Sequence, residues 1–218
     1  MPLILNIDTS IQSGSVCLNR NGESIGYLEN NNQGQQAGWL HGAIKQLAED
    51  CGITLKSLDA IAVSNGPGSY TGLRISLSAA KGICYALNIP LILVSTLKVM
   101  AVAVAPQADD LICPMIDARR MEVFTALYDR GLNLVEEPRA LILQENSFSE
   151  ILASHRVLFT GNGSEKFKNL AHSSNASFVE HQPNAHDLSY LSSKMYEESL
   201  FTDLAYSEPE YVKAAHTT

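Results

Sequence analysis

A short apolar segment that ends in an acid opens the chain, and a second segment of the same kind begins near its middle. The first is Leu3-Ile-Leu-Asn-Ile-Asp8, and the second is Leu111-Ile-Cys-Pro-Met-Ile-Asp117. Each is followed by residues with strand patterning and then by residues with helical spacing, so the two halves share one order of elements. This repeat indicates an α/β chain with two lobes. We expect the first lobe to span residues 1–105 and the second to span residues 106–218.

Composition and charge exclude several classes of protein. The 218 residues are 45% apolar, which is enough to bury a core, and 15 basic against 23 acidic residues give a formal net charge of −8. Autonomous nucleic-acid binding is not expected, because a phosphate backbone is bound by clustered Lys and Arg. The basic runs here are limited to Arg119-Arg120 and the Lys166/Lys168 pair. No apolar run reaches the roughly 20 residues of a membrane span, and the four cysteines form no C-x-x-C pair, so we expect a cytoplasmic protein without membrane association.

Helical spacing of apolar residues predicts two consecutive helices in the first lobe. The first of them is expected to stop at Gly52. The second is expected over Leu73–Leu87 and carries charge only at Arg74 and Lys81. A last helix is expected near Leu188–Leu200, in the second lobe.

The densest local signal lies between a predicted strand and the second helix, in Ser64-Asn-Gly-Pro-Gly-Ser-Tyr-Thr-Gly-Leu-Arg74. Two glycines and a proline fix a sharp turn, and the unpaired N–H groups of the helix start attract anions. A phosphate or carboxylate site is one interpretation, and a strand-to-helix turn capped by Ser69 or Thr71 is the other. The segment lacks the lysine of a Walker loop and the G-x-G-x-x-G spacing. The candidate loop residues are Gly66, Pro67, Gly68, Ser69, Tyr70, Thr71, Gly72 and Arg74.

Four segments of the chain resemble the TsaB (YeaZ) family. They are Asn6-Ile-Asp-Thr-Ser10, Gly66-Pro-Gly-Ser-Tyr-Thr-Gly-Leu-Arg-Ile75, Val94-Ser-Thr-Leu97 and Ile116-Asp-Ala-Arg-Arg-Met-Glu-Val-Phe124, and a weaker resemblance resumes at residues 160–163 and 208–213. The resemblance implies an actin-like, Hsp70-like ATPase fold (ASKHA, ribonuclease H-like) with a mixed sheet flanked by helices in each lobe. It also implies a role in making N6-threonylcarbamoyladenosine (t6A) beside the anticodon of tRNA.

The same resemblance implies a set of partners. It describes a subunit that binds the larger catalytic paralogue TsaD as a heterodimer, joins TsaE in a larger complex and forms a homodimer when alone. Contact with tRNA is expected only through the complex.

The histidines favour a subunit without catalysis of its own. A metal site in a catalytic paralogue needs two histidines one helical turn apart, and the first predicted helix offers His41 alone. The others lie in the second half without that spacing: His155, His172, His181, His186 and His216. We therefore expect no metal and no tightly bound cofactor.

The residues after the first strand of each lobe bear on nucleotide binding. The resemblance places Asp8, Thr9 and Ser10, and Asp117 in the second lobe, where actin-like ATPases carry phosphate hairpins, but the glycine of those hairpins is missing. We interpret these as degenerate phosphate-loop positions, in which Asp8 and Asp117 bond hairpin N–H groups instead. The sequence leaves open whether a nucleotide binds at a subunit boundary. The alternative functions are an ATP-dependent kinase or transferase of the same fold and, more distantly, a glycoprotease-like metallohydrolase.

Two apolar stripes that include small residues predict the surface through which subunits pair. They comprise Trp39, Leu40 and Ile44 on the first helix, with Ile75, Ala79 and Gly82 on the second. A helix internal to the lobe agrees equally well with the periodicity, and the resemblance favours pairing. On this interpretation Ala79→Arg should break pairing and leave the monomer folded.

Overall fold

The computed structural model describes residues 1–11, 13–32 and 34–213, so His216 lies outside the described residues. The chain divides into two compact units. The first comprises Met1–Val99 and Pro183–Glu210, and the second comprises Met100–Gln182 and resumes at Tyr211. This differs from the expected division at residues 105 and 106, because the first unit ends at residue 99 and a late segment returns to it.

The first unit contains a five-stranded mixed sheet in the order β3-β2-β1-β4-β5. Strand β2 pairs antiparallel with β1 and β3, whereas β4 runs parallel to β1 and β5. The elements in chain order are β1 (Leu3–Asp8), β2 (Gly14–Arg20), β3 (Glu23–Asn30), α1 (Gln36–Asp50), β4 (Ala60–Gly66), α2 (Tyr70–Leu87), β5 (Leu91–Ser95) and α3 (Thr96–Val104), whose last residues lie past the boundary at Val99.

The second unit repeats this topology. Its sheet has the order β8-β7-β6-β9-β10, which matches β3-β2-β1-β4-β5 position by position, so the predicted internal duplication is confirmed. Of the helices in the described residues, none is long and apolar enough to span a membrane. The elements of the second unit are β6 (Leu111–Asp117), β7 (Glu122–Asp129), β8 (Leu134–Ile142), α4 (Ser149–Leu152), β9 (Val157–Thr160), α5 (Ser164–Lys168) and β10 (Ala176–Val179). The last helix, α6 (Ala185–Glu197), belongs to the first unit.

Strand β1 is buried on both faces, and its alternating side chains place the helices of the first unit. Leu5 and Ile7 pack into a hydrophobic core with residues of α1 and α2. Asn6 points to the opposite face, where Ser192 Oγ of α6 donates a hydrogen bond to Asn6 Oδ1 at 2.6 Å. Helices α1 and α2 therefore cover one face of the sheet and α6 covers the other, which leaves the far side of α1 and α2 exposed.

Candidate functional site

The loop between β4 and α2 is a strand-to-helix turn held by its own chain. Ser69 caps α2, since its Oγ accepts a hydrogen bond from Gly72 N at 3.2 Å. Ser69 N donates to Ser10 O at 2.7 Å. Because of this cap α2 begins at Tyr70, before the Leu73 that periodicity predicts. The predicted Ser69 cap is therefore present in the structure, and the anion site stays a prediction.

Two glycines of the loop lie directly against the residues that follow β1. A Cβ on Gly72 would collide with the carbonyl oxygen of Thr9, and a Cβ on Gly68 would collide with that of Ser10. Thr9 Oγ1 also donates a hydrogen bond to Gly72 O at 2.6 Å. The loop and the end of β1 are therefore packed backbone against backbone, which requires glycine at both positions.

A segment near the end of the chain closes the same loop. Gly66 has φ +126°, and a Cβ there would collide with Glu210 O. Glu210 N donates to Asn65 O at 2.8 Å, and Gly66 N donates to Thr96 Oγ1 at 3.1 Å. These contacts give a structural reason for the resemblance at residues 208–213, which follows the loop motif by more than a hundred residues.

Asp8 is the last residue of β1 and is buried inside the first unit. It is 1% exposed, and its Oδ1 accepts hydrogen bonds from Ser10 N at 2.9 Å and Ser10 Oγ at 2.8 Å. Its Oδ2 accepts from Ser64 Oγ. Burial raises the pKa of Asp8 above its ordinary value, while these hydrogen bonds act to lower it. Both carboxyl oxygens are thus engaged by groups of the same chain.

Asp117 holds the equivalent position in the second unit. Its Oδ1 accepts from Arg119 N at 2.6 Å, the same two-residue step as from Asp8 to Ser10 N. The side chain of Asp117 is 40% exposed, and Lys166 Nζ lies 2.5 Å from Oδ1. Both strand-end acids therefore bond a hairpin N–H group, and Asp117 adds an ion pair.

Candidate metal and nucleophile residues do not converge in the described ranges. No group of three His, Cys, Asp or Glu side chains able to hold a metal ion occurs there, and His41 is exposed on α1. All four cysteines are free thiols. Burial raises the pKa of Cys17 to about 11 and the pKa values of Cys84 and Cys113 to about 12. Such thiols stay protonated at neutral pH, which fits core residues rather than nucleophiles.

The apolar stripes of α1 and α2 face the sheet, which corrects the expected pairing surface. Three of its six residues are buried in the core: Leu40, Ile44 and Ala79. Two more are half-buried against that core: Trp39 and Ile75. The physical reason is that apolar periodicity marks the side of a helix that meets the sheet. Ala79→Arg would therefore force a charge into the core, and we now expect it to destabilise the first unit itself.

The opposite side of both helices forms an exposed surface, which we call the outer face. Residues three or four apart share one side of a helix. A Cβ added to Gly38, Gly42 or Gly82 would meet nothing within 4 Å. Helices α1 and α2 contact each other, so their outer sides adjoin. The outer face consists of Gly38, His41, Gly42 and Lys45 on α1, with Arg74, Ser78, Gly82 and Tyr85 on α2.

The outer face has properties that the folded chain itself does not use. A glycine inside a helix costs about 0.5–1 kcal/mol relative to alanine, and none of these three is needed for packing within the chain. Tyr85 is 82% exposed, and the Arg74 guanidinium lies 4.1 Å above the Tyr70 ring centroid. Small residues beside exposed aromatic rings suit close approach of another surface. Glycines inside a helical pattern are the sequence signal that could have identified this face.

Comparisons with known proteins agree with this architecture. Residues 34–217 match the family described as "TsaD: tRNA N6-adenosine threonylcarbamoyltransferase". The chain is similar to the tRNA threonylcarbamoyladenosine biosynthesis protein TsaB of Bacillus subtilis, with 38% identity over 62% of this chain and 58% of that protein, which is less than two thirds of its length. Its similarity to the Escherichia coli TsaB is 28% identity over 96% of this chain and 94% of the relative.

Solved structures show the same fold. YeaZ from Pseudomonas aeruginosa superimposes with a TM-score of 0.84 at 24% identity, covering 97% of this chain and all of that one. The activator of 2-hydroxyisocaproyl-CoA dehydratase from Clostridium difficile, with bound ADPNP, gives a TM-score of 0.52 at 10% identity over 90% of this chain and 97% of that chain. The fold is therefore the actin-like ATPase fold that the sequence resemblance implies.

Proposed function

Because the chain belongs to the TsaB (YeaZ) branch of the TsaD family, we propose that it serves tRNA threonylcarbamoyladenosine biosynthesis as a partner subunit. Its partner would be a TsaD-type catalytic subunit, bound as a heterodimer, with TsaE joining a larger complex. Alone, the chain would form a homodimer through the same surface. Contact with tRNA would come within the complex.

The outer face is the observation that carries the proposal. Its three helix glycines leave open space above the helices, so a partner helix can approach the backbone closely. Tyr85, at 82% exposure, supplies an aromatic side chain of the kind that dominates binding at interface centres. A chain that acted alone would gain stability from alanine at each of the three glycines.

The loop at the start of α2 favours the role of a partner subunit without catalysis of its own. The N–H of Ser69 bonds Ser10 O, and the N–H of Gly72 bonds Ser69 Oγ. Leu73 N bonds Ser69 O at 2.9 Å. Two of the N–H groups at this helix start, those of Ser69 and Gly72, are thus bonded to groups of the chain itself. Asp8, at the end of β1, has both carboxyl oxygens engaged as well.

Sedimentation velocity of the chain mixed with the TsaD-type subunit of the same organism tests the proposal. We expect a 1:1 complex with a Kd of about 1 µM or tighter, as for an interface of standard size. The isolated chain should self-associate through the same face, as in a two-fold symmetric dimer. Two species that sediment independently at tens of micromolar (about 10 times that Kd or more) would contradict the proposal.

A further inference from the structure

The turn between β6 and β7 presents two arginines from an unusual backbone conformation. Arg119 has φ +70° and Arg120 has φ +48°, and both side chains are exposed. Two consecutive positive φ values are uncommon for residues other than Gly and Asn. We call residues 118–121 the arginine turn. Its backbone is fixed by two hydrogen bonds: Ala118 N to Glu122 O and Glu122 N to Arg119 O, both at 3.1 Å.

The hairpin between β2 and β3 shows which residues adopt positive φ most readily. Between β2 and β3, Asn21 has φ +53° and Gly22 has φ +85°, so that hairpin uses the residues that adopt positive φ readily. At two positions of positive φ, Asn and Gly would therefore cost folding less than two arginines do. Backbone preference therefore does not explain why arginines occupy these two positions, and a function of their side chains does.

The charges around the arginine turn leave both arginines available. Asp117 is paired with Lys166, and Glu122 is paired with Lys213, whose Nζ lies 3.0 Å from Glu122 Oε1 and 3.1 Å from Oε2. Neither arginine side chain has an ion pair within residues 1–11, 13–32 and 34–213. The two arginines and two lysines, against two acids, give a local charge of 4 − 2 = +2 on a chain whose net charge is −8.

We propose that the arginine turn binds phosphate groups of an RNA strand. A guanidinium offers a planar fork of donors that fits a phosphate, and two adjacent forks on a fixed turn suit successive phosphates. Two exposed guanidinium groups and a local excess of positive charge, on a chain whose net charge is −8, favour a polyanion as the partner. RNA as the source of the phosphates rests on the proposed function. Such a contact would position tRNA without reading its sequence.

Replacing the arginines by the residues of the other hairpin tests this inference. Arg119→Asn/Arg120→Gly should raise the thermal midpoint of unfolding, because Asn and Gly adopt positive φ at a lower energetic cost than Arg. It should also weaken binding of unmodified tRNA roughly tenfold or more at about 0.1 M salt, and reduce the slope of log K against log salt by about 2. Fluorescence anisotropy with the full chain, alone and mixed with the TsaD-type subunit, measures both quantities.

A charge-matched control separates a local contact from net charge. Lys56→Gln/Arg130→Gln removes two positive charges from exposed positions elsewhere and should change tRNA affinity less than about threefold. Equal losses in the two variants would overturn the inference, and so would unchanged binding in the arginine-turn variant. Loss of subunit association without loss of tRNA binding would instead assign the turn to an acidic protein partner.

A conservative variant keeps the positive charges and removes the planar guanidinium donors. Arg119→Lys/Arg120→Lys should lose part of the affinity and keep the salt slope, and it serves as the test if the Asn-Gly variant fails to fold. Failure of the inference is distinguishable from failure of the proposed function. Subunit association depends on the outer face and is measured by sedimentation, whereas tRNA binding is measured by fluorescence anisotropy on the mixture and on the chain alone.

Discussion

Gly82→Arg is expected to weaken association with the TsaD-type subunit more than a hundredfold and to leave the isolated chain folded. In the isolated chain the new side chain extends into solvent, because a Cβ at Gly82 meets nothing within 4 Å. In the complex the charge would be buried without a partner, at a cost of roughly 3–5 kcal/mol. That cost corresponds to a factor of more than about 100 in Kd. Sedimentation velocity and circular dichroism together measure association and folding.

Ala153→Arg is the matched control, since Ala153 is an exposed small residue at the end of α4 in the second unit. It should associate like the unmodified chain. Gly82→Ala should show a smaller loss of affinity and an unfolding free energy raised by about 0.5–1 kcal/mol. A folded Gly82→Arg variant that still binds with unchanged Kd would place the interface elsewhere.

Gly72→Ala is expected to destabilise the chain by about 3 kcal/mol, although alanine is the better helix former. The new Cβ would collide with Thr9 O, a backbone atom that cannot rotate away, and the Thr9 Oγ1 bond to Gly72 O holds the two segments together. For a chain of this size that loss lowers the thermal midpoint by about 6–12 °C. Urea unfolding followed by circular dichroism measures the free energy directly.

Gly82→Ala, in the same helix, is the control for this substitution and should have the opposite sign. The pair separates a glycine that the fold requires from one that the fold tolerates. If Gly72→Ala were as stable as the unmodified chain, the close packing of the loop on the end of β1 would not be a determinant of stability.

The duplication of the fold could be predicted from the sequence because its signals are local. Strands β1 and β6 are continuous apolar segments that end in Asp8 and Asp117, and strands buried on both faces have that pattern. Asn21-Gly22 predicts a tight hairpin, and both residues have positive φ in the structure. These features depend on neighbours within a few residues.

The return of α6 to the first unit could not be predicted in the same way. It depends on buried polar pairs between residues far apart in sequence, such as Asn19 Nδ2 donating to Ser193 Oγ at 2.5 Å. Periodicity carries no information about which sheet a helix will cover. The start of α6 at Ala185, before the expected Leu188, follows from the Asn184 side chain, which accepts bonds from two N–H groups of the first turn.

The apolar residues predicted for pairing lie on the sheet-facing side of α1 and α2, so we propose the outer side of the same helices as the pairing surface. Apolar residues such as Leu40 and Ile44 dominate the periodicity, and they are the residues that pack on the sheet. The outer face is marked by residues that lack side chains, and a sequence alone does not show whether the space above a glycine is empty. The capping role of Ser69, by contrast, could be inferred from its residue type and position.

We propose that this chain supports tRNA threonylcarbamoylation without performing it. The direct measurement is formation of threonylcarbamoyladenosine on unmodified tRNA by purified TsaD-type subunit and TsaE, supplied with an activated threonylcarbamoyl donor, with and without this chain. We expect product when the chain and the TsaD-type subunit are both present, and none from the chain alone. Product formed by this chain alone, or an equal rate in its absence, would contradict the claim.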